Sequence, residues 1–206
     1  MEMNHGWVSK TFTVIDVEVP KLNAYLMSGN NFNILGNGNK TTYNNAGYST
    51  VFVVNGASTT INNGSGSLQN VSFNTKLSIV EDGNYVQIEY ILTNNSSENK
   101  TISIATHADI QINANDRARI DNLSGDRGFI MTDGNYYYNV ILKGQEGITD
   151  VDAYWFGYYS DRTKYLWSNA HPQSLVNIDS GMVYSWQNRV LAPNETKSFI
   201  VRIGLE

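Results

Sequence analysis

The residues with the clearest capacity for chemistry are a histidine and an aspartate two positions apart. His107 and Asp109 lie in the segment SIATHADIQI. Residues two apart in an extended strand project from the same face, so the carboxylate could orient the imidazole toward a ligand. The alternative is a strand histidine that bonds to a neighbour for structural reasons alone. The spacing predicts a polar pair on one sheet face, and this pair is a candidate ligand site.

The densest group of aromatic residues in the chain lies between positions 154 and 167. Pyranose rings present flat C–H faces that stack on indole or phenol rings, while their hydroxyls bind polar side chains. Alternation places Trp155 on the face opposite Tyr154 and Phe156, so part of this group is expected in the core. The predicted ligand-binding set joins the polar pair to this group and comprises His107, Asp109, Trp155, Tyr158, Tyr159 and Trp167.

A polar segment between residues 113 and 126 contains three aspartates that could bind calcium, namely Asp116, Asp121 and Asp126. Calcium takes about six to eight oxygen ligands, and an oxygen-rich loop can supply them. The spacing does not match an EF-hand, and Arg117, Arg119 and Arg127 could pair with the same carboxylates. A solvated, ion-paired loop is therefore the alternative to a calcium site, and we expect no other cofactor.

The strand that must position His107 follows a long alternating segment. From Tyr85 to Leu92 polar and apolar residues alternate with period 2, which is typical of a strand with two different faces. Asn and Ser residues at positions 94–99 then supply turn chemistry before a second strand that ends at Ile112. We predict a long β-hairpin at the centre of a sheet. Its buried face is expected to include Val86, Ile88, Tyr90 and Leu92.

The rest of the chain also shows strand patterns. We predict an opening strand over Val8–Val19, Asn- and Gly-rich hairpins over residues 23–45, and a final strand pair around LAPNET. No window of ten or more residues has a 3.6-residue apolar period, although Arg162–Ala170 could form one helical turn. Tyr136–Tyr138 is expected in a strand at an edge or interface. The sequence therefore predicts an all-β fold, a large antiparallel two-sheet sandwich in which residues 1–206 form a single domain with under about a tenth helix.

Composition excludes several classes of partner. The 206 residues carry a net charge of −5, and only 16% of them are charged, which does not suit binding to nucleic acid or to an anionic membrane surface. The chain has no cysteine and no apolar run of about 18 residues, so we expect no membrane span. The N-terminus has no secretory h-region, so the sequence indicates either a cytosolic protein or a domain of a longer exported one. Because amide side chains are abundant, we expect a domain of a longer exported protein, located outside the cell or at its surface.

Two segments resemble the large β-sandwich called the supersandwich, the fold of the galactose mutarotase-like family. They are VQIEYILTNNSSENKTISIATHADIQI and DSGMVYSWQNRVLAPNETKSFIVRIGLE. The second is also similar to the end of a recurrent domain in surface proteins of Gram-positive bacteria. The resemblance implies that His107 faces a sugar. The family's enzymes pair two histidines with a glutamate base, so His171 would be the second histidine, and Asp179 is the one carboxylate near the expected base.

The sequence supports three interpretations of function. The first is a non-catalytic, extracellular β-sandwich domain that recognises carbohydrate or another cell-surface ligand. The second is a structural surface protein that associates with copies of itself, since low charge and the tyrosine run Tyr136–Tyr138 also suit assembly. The third is an aldose epimerase or another carbohydrate-processing enzyme, with His107, His171 and Asp179 as its catalytic residues.

We predict that the chain does not catalyse mutarotation. The reaction requires an acid and a base on either side of the sugar ring, each within hydrogen-bond reach of the proton that it moves. No glutamate lies between Trp167 and Gln187, where the resemblance would place the base. Polarimetry of freshly dissolved galactose or glucose should therefore show the uncatalysed rate. An acceleration that disappears in His107→Ala would contradict this prediction.

Overall fold

The computed structural model of the chain describes residues 3–4, 48–61, 64–80, 85–112, 115–134 and 136–204. These residues form fourteen β-strands and one 3₁₀ helix of seven residues. The predicted opening strand Val8–Val19 and the predicted hairpins of residues 23–45 lie outside the described residues. Within the described ranges, no helix is long and apolar enough to cross a membrane.

The elements are numbered in chain order. The strands are β1 (Met3–Asn4), β2 (Tyr48–Val54), β3 (Ala57–Ile61), β4 (Ser65–Leu68), β5 (Val71–Val80), β6 (Tyr85–Asn94), β7 (Lys100–Ile112), β8 (Arg119–Asn122), β9 (Gly128–Asp133), β10 (Tyr136–Ile141), β11 (Ala153–Tyr158), β12 (Ser174–Leu175), β13 (Ser180–Leu191) and β14 (Thr196–Gly204). The 3₁₀ helix spans Tyr159–Tyr165. It overlaps the start of the segment for which one helical turn was predicted.

The strands form two antiparallel sheets that pack face to face. The six-stranded sheet has the order β11–β13–β7–β2–β3, and β1 also pairs with β7. The eight-stranded sheet has the order β12–β8–β9–β10–β14–β6–β5–β4. Alternating apolar residues from both sheets meet in one core. The predicted all-β, antiparallel two-sheet sandwich is therefore confirmed for the described residues.

Strands β6 and β7 do not form the predicted hairpin. β6 pairs with β5 and β14 in the eight-stranded sheet, whereas β7 pairs with β2 and β13 in the six-stranded sheet. The connection after Asn94 therefore crosses from one sheet to the other. The Asn94 amide is buried and donates to the carbonyls of Glu98, Leu191 and Ala192 at 2.7, 3.1 and 2.9 Å, which fixes the crossover to the loop between β13 and β14.

The predicted final pair around LAPNET is corrected in the same way. β13 belongs to the six-stranded sheet and β14 to the eight-stranded sheet, so this loop is a second crossover. By contrast, β5 and β6 do form a hairpin in which Val80 lies opposite Tyr85. The predicted burial within β6 is confirmed, since Val86, Ile88, Tyr90 and Leu92 have no exposed surface. The local alternation was predicted correctly, and the partners of the strands were not.

A chain of buried hydroxyl groups crosses the interior and joins the two sheets. The hydroxyl oxygens of Tyr90 on β6 and Tyr184 on β13 lie 2.7 Å apart. Thr106 on β7 donates to the Tyr90 hydroxyl at 2.9 Å, and its own oxygen lies 2.9 Å from that of Thr50 on β2. All four residues are buried, so each hydroxyl needs a partner within the protein. Trp186 packs edge-on against both tyrosine rings.

We predict that Tyr90→Phe destabilises the domain by about 1–3 kcal/mol, because Tyr184 and Thr106 each lose a partner in the core. Tyr184→Phe introduced into that variant should cost less than Tyr184→Phe alone, because the hydroxyl that would be left without its partner is then removed as well. Urea unfolding of the single and double variants measures the coupling as a double-mutant cycle. Additive effects of the two substitutions would contradict the role assigned to this bond.

Candidate functional site

His107 projects from the outer face of the six-stranded sheet. Its neighbours along β7, Thr106 and Ala108, point into the core. Alternation therefore directs His107 away from the core, where it lies opposite Val183 on β13 and Ser49 on β2. The side chain is nevertheless only 8% exposed. Another part of the chain must cover it.

The cover is the 3₁₀ helix, which packs on β7, β11 and β13. Gly181 on β13 allows the close approach, because a Cβ atom there would lie 2.8 Å from the Cα atom of Tyr159. The helix is joined to the start of β13 by a bond of 2.9 Å from the Tyr159 amide to the Asp179 carbonyl. At the other end of the helix, Tyr165 stacks on Trp155 with ring centroids 4.7 Å apart. The helix and its aromatic residues therefore exclude water from much of this face.

Arg162 on the helix brings a positive charge over the histidine. Its Nη1 atom donates to the Tyr159 carbonyl at 2.8 Å, and the guanidinium lies 4.7 Å from the centre of the Tyr159 ring. Burial, and then the charge of Arg162, lower the pKa of His107 to about 4. The imidazole is therefore neutral at neutral pH. Its Nδ1 atom is buried and has no hydrogen-bond partner among the described residues.

The pKa of Asp109 is raised, whereas that of His107 is lowered. Burial, followed by the charge of Asp179, raises the pKa of the Asp109 carboxyl to about 6, although Arg162 partly offsets this. Burial and the charge of Asp116 also raise the pKa of Asp179. These three carboxylates thus interact, and the two arginines nearby, Arg162 and Arg117, compensate them in part.

An exposed aromatic ring lies at the end of β11, just before the 3₁₀ helix. Tyr158 is 49% exposed and meets the ring of Tyr159 edge-on, with centroids 6.0 Å apart. Tyr158 lies opposite Ser180, whose amide donates to the Asp116 carbonyl at 2.9 Å. The end of β11, the loop after β7 and the start of β13 therefore converge here. We call this end of the sandwich the Tyr158 face, and its segments carry Asp109, Asp116, Tyr158, Tyr159, Arg162 and Asp179. Alternation places Tyr158 on the side of the six-stranded sheet opposite Asp109.

The structure brings together part of the predicted ligand-binding set. His107 and Asp109 share the outer face of the six-stranded sheet with the 3₁₀ helix that begins at Tyr159, whereas Tyr158 lies on the other face at the end of β11. Trp155 is corrected, because it is only 5% exposed under Tyr165 and cannot present its ring to a ligand. Trp167 is 38% exposed, but its carbonyl accepts a bond from Gln187, far along β13 from Ser180. Ser180 and Gln187 are seven residues apart along β13, which corresponds to roughly 23 Å.

The three residues predicted for catalysis do not form one site. His171 stacks on Tyr154 with ring centroids 4.1 Å apart, and its Nδ1 atom lies 3.0 Å from the Tyr154 carbonyl. Tyr154 points into the sandwich, whereas His107 points outward. The two histidines therefore lie on opposite sides of the six-stranded sheet. Asp179 lies on the side of His107.

The three candidate calcium ligands are also separated by their partners. Asp121 forms a two-point pair with Arg119, with contacts of 2.5 and 2.7 Å. Asp126 accepts a hydrogen bond from Tyr154, and Asp116 belongs to the Tyr158 face. Among the residues that the structure describes, no group of three or more His, Asp or Glu side chains could hold a metal ion. The alternative of an ion-paired loop describes Asp121, which pairs with Arg119, and Asp116, whose carboxylate lies 3.9 Å from Arg117. Asp126 pairs instead with Lys143 and His171 from outside the loop.

Sequence reasoning missed a polar cluster at the β11 edge of the sandwich. The Tyr154 hydroxyl donates to Asp126 at 2.5 Å, while Lys143 and His171 each lie 3.5 Å from the same carboxylate. Partial burial acts to raise the pKa of Asp126, but the Tyr154 hydroxyl and the two bases lower it overall. Asp126 has a φ of 56° and Gly125 a φ of 76°, so both lie in the left-handed region. The motif SGDRG therefore predicts a turn, but it does not predict which residues contact Asp126. The cluster holds His171 against β11.

Comparisons with known proteins give little further information. No family model matches the chain, and no curated protein matches it. Among solved structures, the chain is similar to a bacterial glucoamylase complexed with acarbose, with 10% identity and a TM-score of 0.39. The match covers 81% of this chain and 27% of the glucoamylase chain.

We predict that His107 titrates with a midpoint of about 4 in NMR spectra of its ring. Because this pKa is below the unfolded value of about 6.5, the unfolded chain binds the proton first as the pH falls. The contribution of His107 to stability is therefore present above about pH 6.5 and decreases as the pH falls toward 4. The pKa of Asp109 is raised to about 6, so its contribution to stability is present at low pH and decreases as the pH rises toward 6.

Arg162→Gln tests the cause of this shift. It should move the His107 midpoint upward, though not to the ordinary value, because burial is the larger cause. Lys164→Gln is a matched control, since it also removes a cation from the helix but one that does not act on His107. A His107 midpoint near 6.5 in the unmodified protein would contradict the burial described here.

Proposed function

We propose that this chain is a non-catalytic, extracellular β-sandwich domain that binds carbohydrate at the Tyr158 face. The observation that supports the proposal is an aromatic ring, 49% exposed, at the end of the sandwich where the segments that carry three interacting carboxylates and an arginine meet. Ligand sites commonly combine an apolar surface for affinity with a few polar groups that fix orientation. The Tyr158 face has both parts.

The chemistry of the face suits a neutral, hydroxyl-rich ligand. The Tyr158 ring can stack on the C–H face of a pyranose, and carboxylates such as Asp179 can accept bonds from its hydroxyls. Arg162 can donate to ring or hydroxyl oxygens, and its charge is partly balanced by the carboxylates around it. The low charge of the whole chain, with 16% charged residues, supports a role outside the cell.

The arrangement favours binding over epimerase chemistry. His107 and His171 face opposite sides of the six-stranded sheet, so they cannot act on the two sides of one sugar ring. With a pKa of about 4, His107 would also be a weak general base at neutral pH. A carbohydrate-processing enzyme of this type therefore has less support than a binding domain.

Glycan-array screening followed by calorimetry tests the proposal. We expect Tyr158→Ala to weaken binding by about ten- to a hundredfold without unfolding the domain, because one exposed aromatic contributes about 1–3 kcal/mol when a partner buries it. Trp167→Ala is the matched control, since it removes an exposed aromatic ring far along β13 and should leave the affinity unchanged. Equal losses in the two variants would contradict a site at Tyr158.

Self-association is the second candidate function, because two apolar side chains are exposed in the segment between β12 and β13. Val176 is 57% exposed and Ile178, next to Asp179, is 38% exposed. If no glycan binds, sedimentation velocity decides this alternative. A dimer that Ile178→Ser dissociates would make assembly the function, whereas a monomer would leave neither candidate supported.

A further inference from the structure

A concave surface lies at an edge of the sandwich, close to the crossover between β13 and β14. This edge groove has a volume of about 520 Å³, within the range of ligand sites. Its lining includes Thr149, Asp150, Arg189, Val190, Lys197 and Ser198. None of them belongs to the Tyr158 face.

The groove exists because a strand ends early in each sheet. β11 begins opposite Ser185, so the part of β13 beyond that residue has a strand partner only on the β7 side. β10 ends opposite Arg202, so the first half of β14 has a strand partner only on the β6 side. Two incomplete strand edges therefore border the same groove.

On β14, the direction of the main-chain groups follows from Ile200. Its amide donates to the Thr149 hydroxyl at 3.2 Å, and its carbonyl accepts the Thr149 amide at 2.9 Å. Ile200 therefore directs its polar groups away from β6, and Ser198, two residues earlier, directs its groups the same way. The Ser198 carbonyl meets the Thr149 hydroxyl at 3.5 Å. In the described part of the chain, nothing accepts a bond from the Ser198 amide.

On β13, Val190 faces the groove by the same reasoning. It lies opposite Thr101, whose amide and carbonyl both bond to Asn55 on the far side. Val190 therefore directs its groups away from β7, and its carbonyl accepts a bond from Lys197 at 2.8 Å. A bulge between Trp186 and Arg189, with Asn188 at a φ of 51°, turns the strand just before this point.

The charges in the lining favour an anionic group. Arg189 and Lys197 are cationic, and Asp150 is the one carboxylate among the lining residues. One oxygen of Asp150 already accepts the Gly144 amide at 2.8 Å. The partners of the two cations, Asp152 at 2.8 Å and Glu195 at 3.1 Å, are not among the lining residues. Each cation already has one carboxylate partner, so the groove offers a ligand the N–H donors of Arg189 and Lys197 that these ion pairs leave unused.

We propose that the edge groove binds a short extended peptide that carries a carboxylate, and that the peptide adds as a strand beside β14. A strand partner is the ligand whose amide and carbonyl groups match those of Ser198 in spacing and direction. The carboxylate, either the C-terminus of the peptide or an acidic side chain, would contact Arg189 or Lys197. A glycan or a free phosphate would leave the alternating donor and acceptor of the strand edge unmatched.

The probe is an acetylated hexapeptide of alternating threonine and valine with a free C-terminal carboxylate. NMR titration should shift the amide signals of Ser198 and Val190, and those signals give the dissociation constant. The amidated form of the same peptide should bind about tenfold more weakly. An amidated form with one glutamate shows whether a side-chain carboxylate restores the affinity. If the free carboxylate peptide does not shift these two amides, the proposal is overturned.

Two pairs of variants separate main-chain pairing from other effects. Ser198→Pro removes the amide that faces the groove and should weaken binding about tenfold, whereas Ser198→Ala keeps that amide and should not. Both lose the bond of 2.6 Å from the serine hydroxyl to Glu89. Equal affinities in this pair would overturn the strand addition.

Arg189→Gln tests the cation, with Asp152→Asn as its control, because both break the same ion pair but only the first removes the positive charge. We expect weaker binding in Arg189→Gln alone. This second pair keeps the proposal testable if proline at position 198 prevents folding. Tyr158→Ala should have no effect on peptide affinity, which separates this site from the proposed carbohydrate site.

Discussion

The buried hydroxyl chain is the interaction on which the rest of the structure depends. Tyr90 and Tyr184 bond across the two sheets, and Thr106 and Thr50 extend the chain to two more strands. A slip of one residue in any of these strands would turn its hydroxyl to the other face and leave partners unsatisfied in the core. The chain therefore fixes which residues of β2, β7 and β13 point outward, and so it places His107 on the outer face.

Small residues on that outer face then decide what covers it. Gly181 lets the 3₁₀ helix lie against β13, and Gly157 leaves space for the Trp155 ring, which a Cβ atom would overlap. The helix excludes water from His107 and brings Arg162 close, so the same packing explains both the burial and the lowered pKa of this histidine. Tyr158 lies just before the helix and remains exposed. The contrast between a covered histidine and an exposed tyrosine supports the proposal of a binding role rather than acid–base catalysis.

The two crossovers explain why the sandwich has a groove at one edge. The chain passes between sheets after β6 and again after β13, and neither pair closes a hairpin at this end. Open strand edges favour uncontrolled pairing with other chains, and proteins commonly limit it with lysines and bulges. Both devices are present here, since Lys197 occupies the Val190 carbonyl and a bulge precedes Arg189. Neither the lysine nor the bulge blocks the Ser198 amide, which can still pair with another strand.

The sequence by itself determined the fold class, the buried face of β6 and the outward direction of His107 and Asp109. Period-2 alternation is a local property, and it survives whatever the strand pairs with. The tertiary structure decided the pairing, because a hairpin and a crossover between sheets have the same alternation and the same turn residues. It also decided that Trp155 is covered and that His171 joins Tyr154 and Asp126, which are contacts between segments far apart in sequence. Such contacts depend on the path of the connecting chain, which no local pattern encodes.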